Sequence, residues 1–174
     1  PTVMAWLNSW QYGKQFPSYN LPQMQSLPRT LSLVSVDTGL RVAQTIPSSI
    51  FSKANNFEFS VTCLNQLLIP ASSLLQVNLS HSKNSQLTFI LNSTNTITMH
   101  HDVQNKTILF VRHDLTERLN GCVSQYICPL LTDQLEVIIC FDKASVEFFA
   151  DGGLATSSFR TSKLYSEVLI KHAS

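Results

Sequence analysis

The chain has 174 residues, 44% of them hydrophobic, enough to bury a core and to form one domain or two small units rather than a disordered tail. Twelve Lys and Arg against eleven Asp and Glu leave a formal net charge of +1. Without a basic stripe, no nucleic-acid partner is expected. No apolar run reaches the roughly 18 residues that a membrane-spanning helix needs, so the chain is expected to be soluble, with no membrane partner.

The first 29 residues hold Trp6, Trp10, Tyr12, Tyr19 and four prolines, Pro1, Pro17, Pro22 and Pro28, which marks a loop-rich aromatic piece. The chain starts inside a strand candidate at 3–7, without a starting Met or a leader, so a processed or truncated polypeptide is expected. Period-2 alternation then dominates. In residues 30–36 (TLSLVSV) Leu31 and Leu33 share one face and Thr30 and Ser32 the other; Asp37-Thr38-Gly39 supplies a turn before 40–44, which predicts a hairpin. A linker is expected at 47–52. Further strands are predicted at 57–64, 74–79, 86–91, 96–100, 106–111, 135–142, 146–150 and 154–159, and a last one at 165–172 that closes a sheet. Many short strands with almost no helical periodicity argue for an all-β sandwich, barrel or propeller.

Four cysteines, Cys63, Cys122, Cys128 and Cys140, are an even number that suits two disulfides in a secreted protein. Cys122 and Cys128 flank what reads as a short loop; a bridge there and reduced, partly buried thiols both stay open. Sequons at Asn78, Asn92 and Asn105 also point to a secretory product.

The stretch FDKASVEFFADGG places Asp142, Glu147 and Asp151 within ten residues of one another. Paired carboxylates are the equipment of glycosidases. Read as a hairpin, however, the stretch puts Asp142 and Asp151 at opposite ends of a strand that advances roughly 13 Å, against the 5–9 Å of a catalytic pair. Turn capping and edge solvation are therefore preferred to catalysis. His100, His101, Asp102, His113 and Asp114 are metal-capable, but adjacent strand residues point to opposite sides, so no metal site is expected. No GxSxG, phosphate-binding glycine loop or HExxH occurs, and no cofactor is expected. If extended, Trp6, Asn8 and Trp10 present two indoles and an amide on one side, which suits a sugar ring; aromatic core is the plainer alternative.

Residues 5–13 (AWLNSWQYG), 26–33 (SLPRTLSL) and 39–47 (GLRVAQTIP) together resemble the end of the catalytic domain of glycoside hydrolase family 32, the invertases, inulinases and levanases. Residues 135–158 (LEVIICFDKASVEFFADGGLATSS) resemble the signature hairpin of that family's C-terminal module. The resemblance implies the last strands of a five-bladed β-propeller over residues 1–46 and a β-sandwich over 47–174. It also implies retaining hydrolysis of terminal fructosyl residues of sucrose or fructans by a secreted or vacuolar enzyme, with an upstream propeller segment as partner and room for oligomer contacts. The family's nucleophile, R-D-P and E-C motifs are not found in 1–174, so no residue here is assigned as catalytic. By motif position Trp6 matches the tryptophan walling the fructose subsite and Asn8 its polar neighbour. Pro28 and Arg29 match a structural P-R-x-L strand, and Asp142, Ser145, Glu147 and Phe148 match the sandwich signature, with packing and turn roles. Phe110-Val111-Arg112 departs from the family, which often carries an Asp before the Arg. A stand-alone glycan-binding or subunit-interaction sandwich is the alternative.

Overall fold

The computed structural model describes residues 1–5, 7, 24–60, 66–115 and 122–173, the side chains of 122 and 123 excepted. In chain order its strands are β1 (Thr2–Val3), β2 (Arg29–Val36), β3 (Gly39–Thr45), β4 (Asn55–Ser60), β5 (Gln66–Pro70), β6 (Ser73–Asn78) and β7 (Ser85–Ile90). There follow β8 (Asn95–Asp102), β9 (Thr107–Asp114), β10 (Cys122–Pro129), β11 (Glu136–Asp142), β12 (Ser145–Ala150), β13 (Ala155–Arg160) and β14 (Glu167–Ala173). A one-turn helix, α1 (Ser48–Phe51), occupies the expected linker.

Among the described residues three sheets form, ordered β1-β2-β3, β10-β9-β8-β7-β14-β5 and β13-β12-β11-β6-β4. Every pair is antiparallel except β4 with β6, which run parallel. Alternation explains which face of each strand turns inward. On β7, Leu87 and Phe89 are buried between more exposed Gln86, Thr88 and Ile90, and on β8, Ile97 and Met99 alternate with Thr96, Thr98 and His100 in the same way. The six- and five-stranded sheets bury these faces against each other. Phe89 meets Phe141 at 5.7 Å between ring centroids, and Phe148 lies 4.3 Å from Phe110 and 5.9 Å from Phe159, so aromatic rings from both layers form the centre of the core. Each such ring taken fully out of water contributes about 1.5–3 kcal/mol.

The hairpin predicted at 30–44 forms as β2 and β3, with Leu33 opposite Val42. The strand predicted at 57–64 starts two residues earlier, as Asn55–Ser60. β5 and β10 were not anticipated, because QLLIP is apolar at consecutive positions and CVSQYICP lacks clean alternation. β10 also corrects the cysteine reading. Cys122 and Cys128 do not flank a loop; they lie six positions apart on one strand, roughly 20 Å, and a disulfide needs Cα atoms within about 7 Å. Cys128 and Cys140 are free, buried thiols. Burial pushes Cys128 up to about 11 and Cys140 up to about 12. Cys63 lies outside the described residues.

Candidate functional site

The junction between the three-stranded sheet and the outer face of the five-stranded sheet is built by β12. Its alternation sends Val146, Phe148 and Ala150 into the core, which leaves Glu147 and Phe149 facing outward. That outer face is covered by the start of β2, so Glu147 is only 2% exposed. Its Oε1 accepts the Leu27 backbone N–H at 2.6 Å, and its Oε2 accepts from Arg29 Nη2 at 2.6 Å and from the Ser158 hydroxyl at 3.3 Å. Arg29, 7% exposed, is held through both terminal nitrogens, while its buried Nε has no hydrogen-bond partner. Its Nη1 donates to Gln44 Oε1 at 2.8 Å and to the Thr156 hydroxyl at 3.3 Å, and its Nη2 also donates to the Ser158 hydroxyl at 2.7 Å. The guanidinium carbon sits 5.2 Å from the centre of the Phe149 ring. A buried ion pair survives desolvation only when its remaining lone pairs and protons are satisfied, and this one largely is.

This placement corrects the edge-solvation reading of Glu147: the carboxylate is desolvated and paired across two sheets. Asp151 follows the turn-capping reading. Buried in the 3-10 turn Asp151–Gly153, it accepts the Leu131 N–H at 2.6 Å and the Thr132 N–H at 3.1 Å, and the Thr132 hydroxyl as well. Asp142 is exposed and pairs in register with Ser145, whereas Ala150 pairs with Val137, so all six residues of β12 separate Asp142 from Asp151. The three carboxylates share no space into which a glycosidic bond could fit between two of them.

The 3-10 turn also presses on the small sheet. Gly153 has φ 88°, and a Cβ there would collide with the Gln44 carbonyl of β3, so close backbone approach and a left-handed conformation both require glycine. Beside this contact opens a cleft of about 650 Å³, walled by Ile46, Phe51, Ile138 and Phe149, with Asn78, His81, Gln134 and Glu136 among its polar members.

His100 and His101 point to opposite sides of β8, as expected; His100 is half-exposed and His101 is 3% exposed. Burial lowers the His101 pKa; nearby His81 adds to this and Asp102 opposes it. Among the described residues no group of three His, Cys, Asp or Glu side chains could hold a metal ion. A buried polar network that the sequence did not announce closes one end of the sandwich. Asn95 Nδ2 donates to the Ser162 hydroxyl at 3.1 Å, and that hydroxyl donates to Asp114 Oδ1 at 2.8 Å. Fully buried Arg112 donates from Nη1 to the Arg160 carbonyl at 2.7 Å. Inward-facing Arg112 and Asp114, continuing the alternation of Ile108 and Phe110, were the available signal. Trp6 and Asn8, expected to touch sugar, lie outside the described residues.

Fold and junction together define a two-sheet β-sandwich with a smaller antiparallel sheet clamped to its outer face. The family description "Glycosyl hydrolases family 32 C terminal" matches residues 25–166, and the chain belongs to that family. The match takes in β2 and β3 as well as the sandwich. Among solved structures, the chain is similar to a fructofuranosidase from Schwanniomyces occidentalis complexed with fructose, at 17% identity and TM-score 0.66 over 99% of this chain and 42% of that one. It is also similar to an exo-inulinase from Aspergillus awamori, at 20% identity and TM-score 0.64 over 98% of this chain and 39% of that one. A third is a family 32 β-fructofuranosidase variant from Bombyx mori in complex with sucrose, at 16% identity and TM-score 0.62 over 98% and 35%. These likenesses establish the fold, and the chain spans about two fifths of those enzymes or less. No curated protein sequence matches it.

Proposed function

We propose that this chain is the C-terminal portion of a β-fructofuranosidase-like glycoside hydrolase, with residues 1–46 completing a catalytic propeller and 47–174 forming the companion sandwich. The observation that carries this reading is the Arg29–Glu147 clamp, which fastens the small sheet to the sandwich through a charge pair that is only 2–7% exposed. A second observation supports it. Leu33, Leu40 and Val42 share, by register and alternation, the face of the small sheet that also carries Arg29 and Gln44, but towards the hairpin turn, where they are 70%, 66% and 52% exposed, an apolar patch suited to contact with further propeller strands. In this reading the sandwich stabilises the propeller, and the upstream segment supplies the nucleophile and acid/base carboxylates that hydrolyse terminal fructosyl residues of sucrose or fructans with retention. Trp6 and Asn8 contribute to the wall of the fructose subsite, and the enzyme is a secreted or vacuolar glycoprotein of the invertase type.

Intact mass and N-terminal sequencing of the natural polypeptide test it. The proposal expects residue 1 to follow a longer chain, or a catalytic chain to co-purify; a natural 174-residue product that purifies alone contradicts it. The cleft of about 650 Å³ favours a second reading, a glycan-binding sandwich. Calorimetry with inulin and levan decides that one, and absence of binding heat sinks it.

A further inference from the structure

The three sequons stand in three different environments, and the difference divides them by chemistry. We infer that the folded protein carries N-linked glycans on Asn78 and Asn105 and uses Asn92 instead as an internal hydrogen-bond acceptor that no glycan can occupy. Glycan transfer forms a bond from the asparagine Nδ2 to the anomeric carbon of an N-acetylhexosamine held on a lipid pyrophosphate. The bond from that carbon to the pyrophosphate oxygen breaks, the lipid pyrophosphate leaves with the electron pair, and Nδ2 gives up one proton. The product needs Nδ2 in solvent and keeps one N–H on it.

Asn92 fails that requirement. Its Nδ2 is buried and has no hydrogen-bond partner. Its Oδ1 accepts four bonds from the β7–β8 turn: the Thr94 N–H at 3.0 Å, the Thr94 hydroxyl at 3.0 Å, the Asn95 N–H at 2.9 Å and Asn95 Nδ2 at 3.1 Å. Asn95 is in turn tied to fully buried Ser162. A sugar on Asn92 Nδ2 would have to displace packed atoms, and swinging the side chain outward would strand the turn donors, one of them on a buried residue. A chain glycosylated there before folding could not close this turn.

Asn78 and Asn105 meet the requirement. Asn78, the last residue of β6, is exposed at the rim of the large cleft. Asn105 is exposed in the β8–β9 turn, where its Nδ2 donates to Asp102 Oδ2 at 2.7 Å, a bond that the one remaining N–H can keep.

The test is expression of the full chain through the secretory pathway of a eukaryotic cell, isolation of the folded monomer, and mass spectrometry of its glycopeptides. Majority occupancy at Asn78 and Asn105 with unmodified Asn92 is expected. Glycan on Asn92 in the folded pool, or either of the other two sites empty, overturns the inference. Asn92→Ala removes the sequon and the turn acceptor together. It should leave occupancy at Asn78 and Asn105 unchanged while lowering the melting temperature; an unchanged melting temperature contradicts the turn role. The inference rests on the secretory reading, and the two fail separately. Native material without glycan at any of the three sites refutes the secretory reading, whereas the choice among sites is read from the recombinant chain.

Discussion

Glu147 is a carboxylate whose every contact is structural: one oxygen holds a backbone N–H of the segment entering β2, the other a guanidinium and a hydroxyl. Removing one member of a buried, hydrogen-bonded pair leaves the other charge desolvated and uncompensated, which costs about 3–5 kcal/mol. Glu147→Ala is therefore expected to lower unfolding free energy in urea by about that amount, whereas Arg29→Met combined with Glu147→Leu should cost clearly less than the sum of the two single changes. Additive losses would show that the pair is not coupled. His101 sets a pH dependence. Its pKa in the fold lies below the unfolded value near 6.5, so between those two values the unfolded chain binds more protons and stability rises with pH. The urea midpoint should thus fall as pH is lowered through about 6.5 towards the folded value, and His101→Phe should flatten that fall. Asp102, also shifted downward but exposed, acts only in the acid range near 4 and below, outside this window.

At the scale of elements, the period-2 reading located most strands, because one face of each strand turns to a shared core and the other does not. It failed where that asymmetry fails. Leu67, Leu68 and Ile69 in β5 are apolar on both faces although Leu68 is well exposed, and β10 carries Tyr126 and Ile127 side by side. The junction was legible only in part. The alternation of β12 separated Glu147 from the core positions, but nothing local to FDKASVEFFADGG said that Arg29, 118 positions away, would cover it. The Asn95–Ser162–Asp114 network was equally hidden, since burial of polar side chains is decided by which strands neighbour each other and not by any one strand. Two predictions belong here. Gly153→Ala forces a Cβ against the Gln44 carbonyl at a positive φ, and should destabilise the fold by about 1–3 kcal/mol while speeding amide exchange in β3 more than in β8. Cys128 and Cys140, buried and with raised pKa values, should react with a thiol reagent at pH 8 only after denaturant is added; rapid labelling of either residue in the native protein, read from its peptide by mass spectrometry, would contradict their placement.

For the whole molecule, two layers make the sandwich, and a third, smaller sheet is fixed to it by a buried charge pair and a glycine turn while leaving an apolar patch exposed towards its hairpin turn. The carboxylates that resemble glycosidase equipment in sequence are separated by the length of β12 or saturated with hydrogen bonds, which is why the proposed hydrolysis is placed on none of them. The most direct measurement is sucrose hydrolysis by the purified 174-residue chain, with circular dichroism on the same sample to establish its β structure. The account predicts a folded chain with no turnover above buffer. Sucrose turnover by this chain alone, abolished by Glu147→Gln or Asp151→Asn, would contradict it.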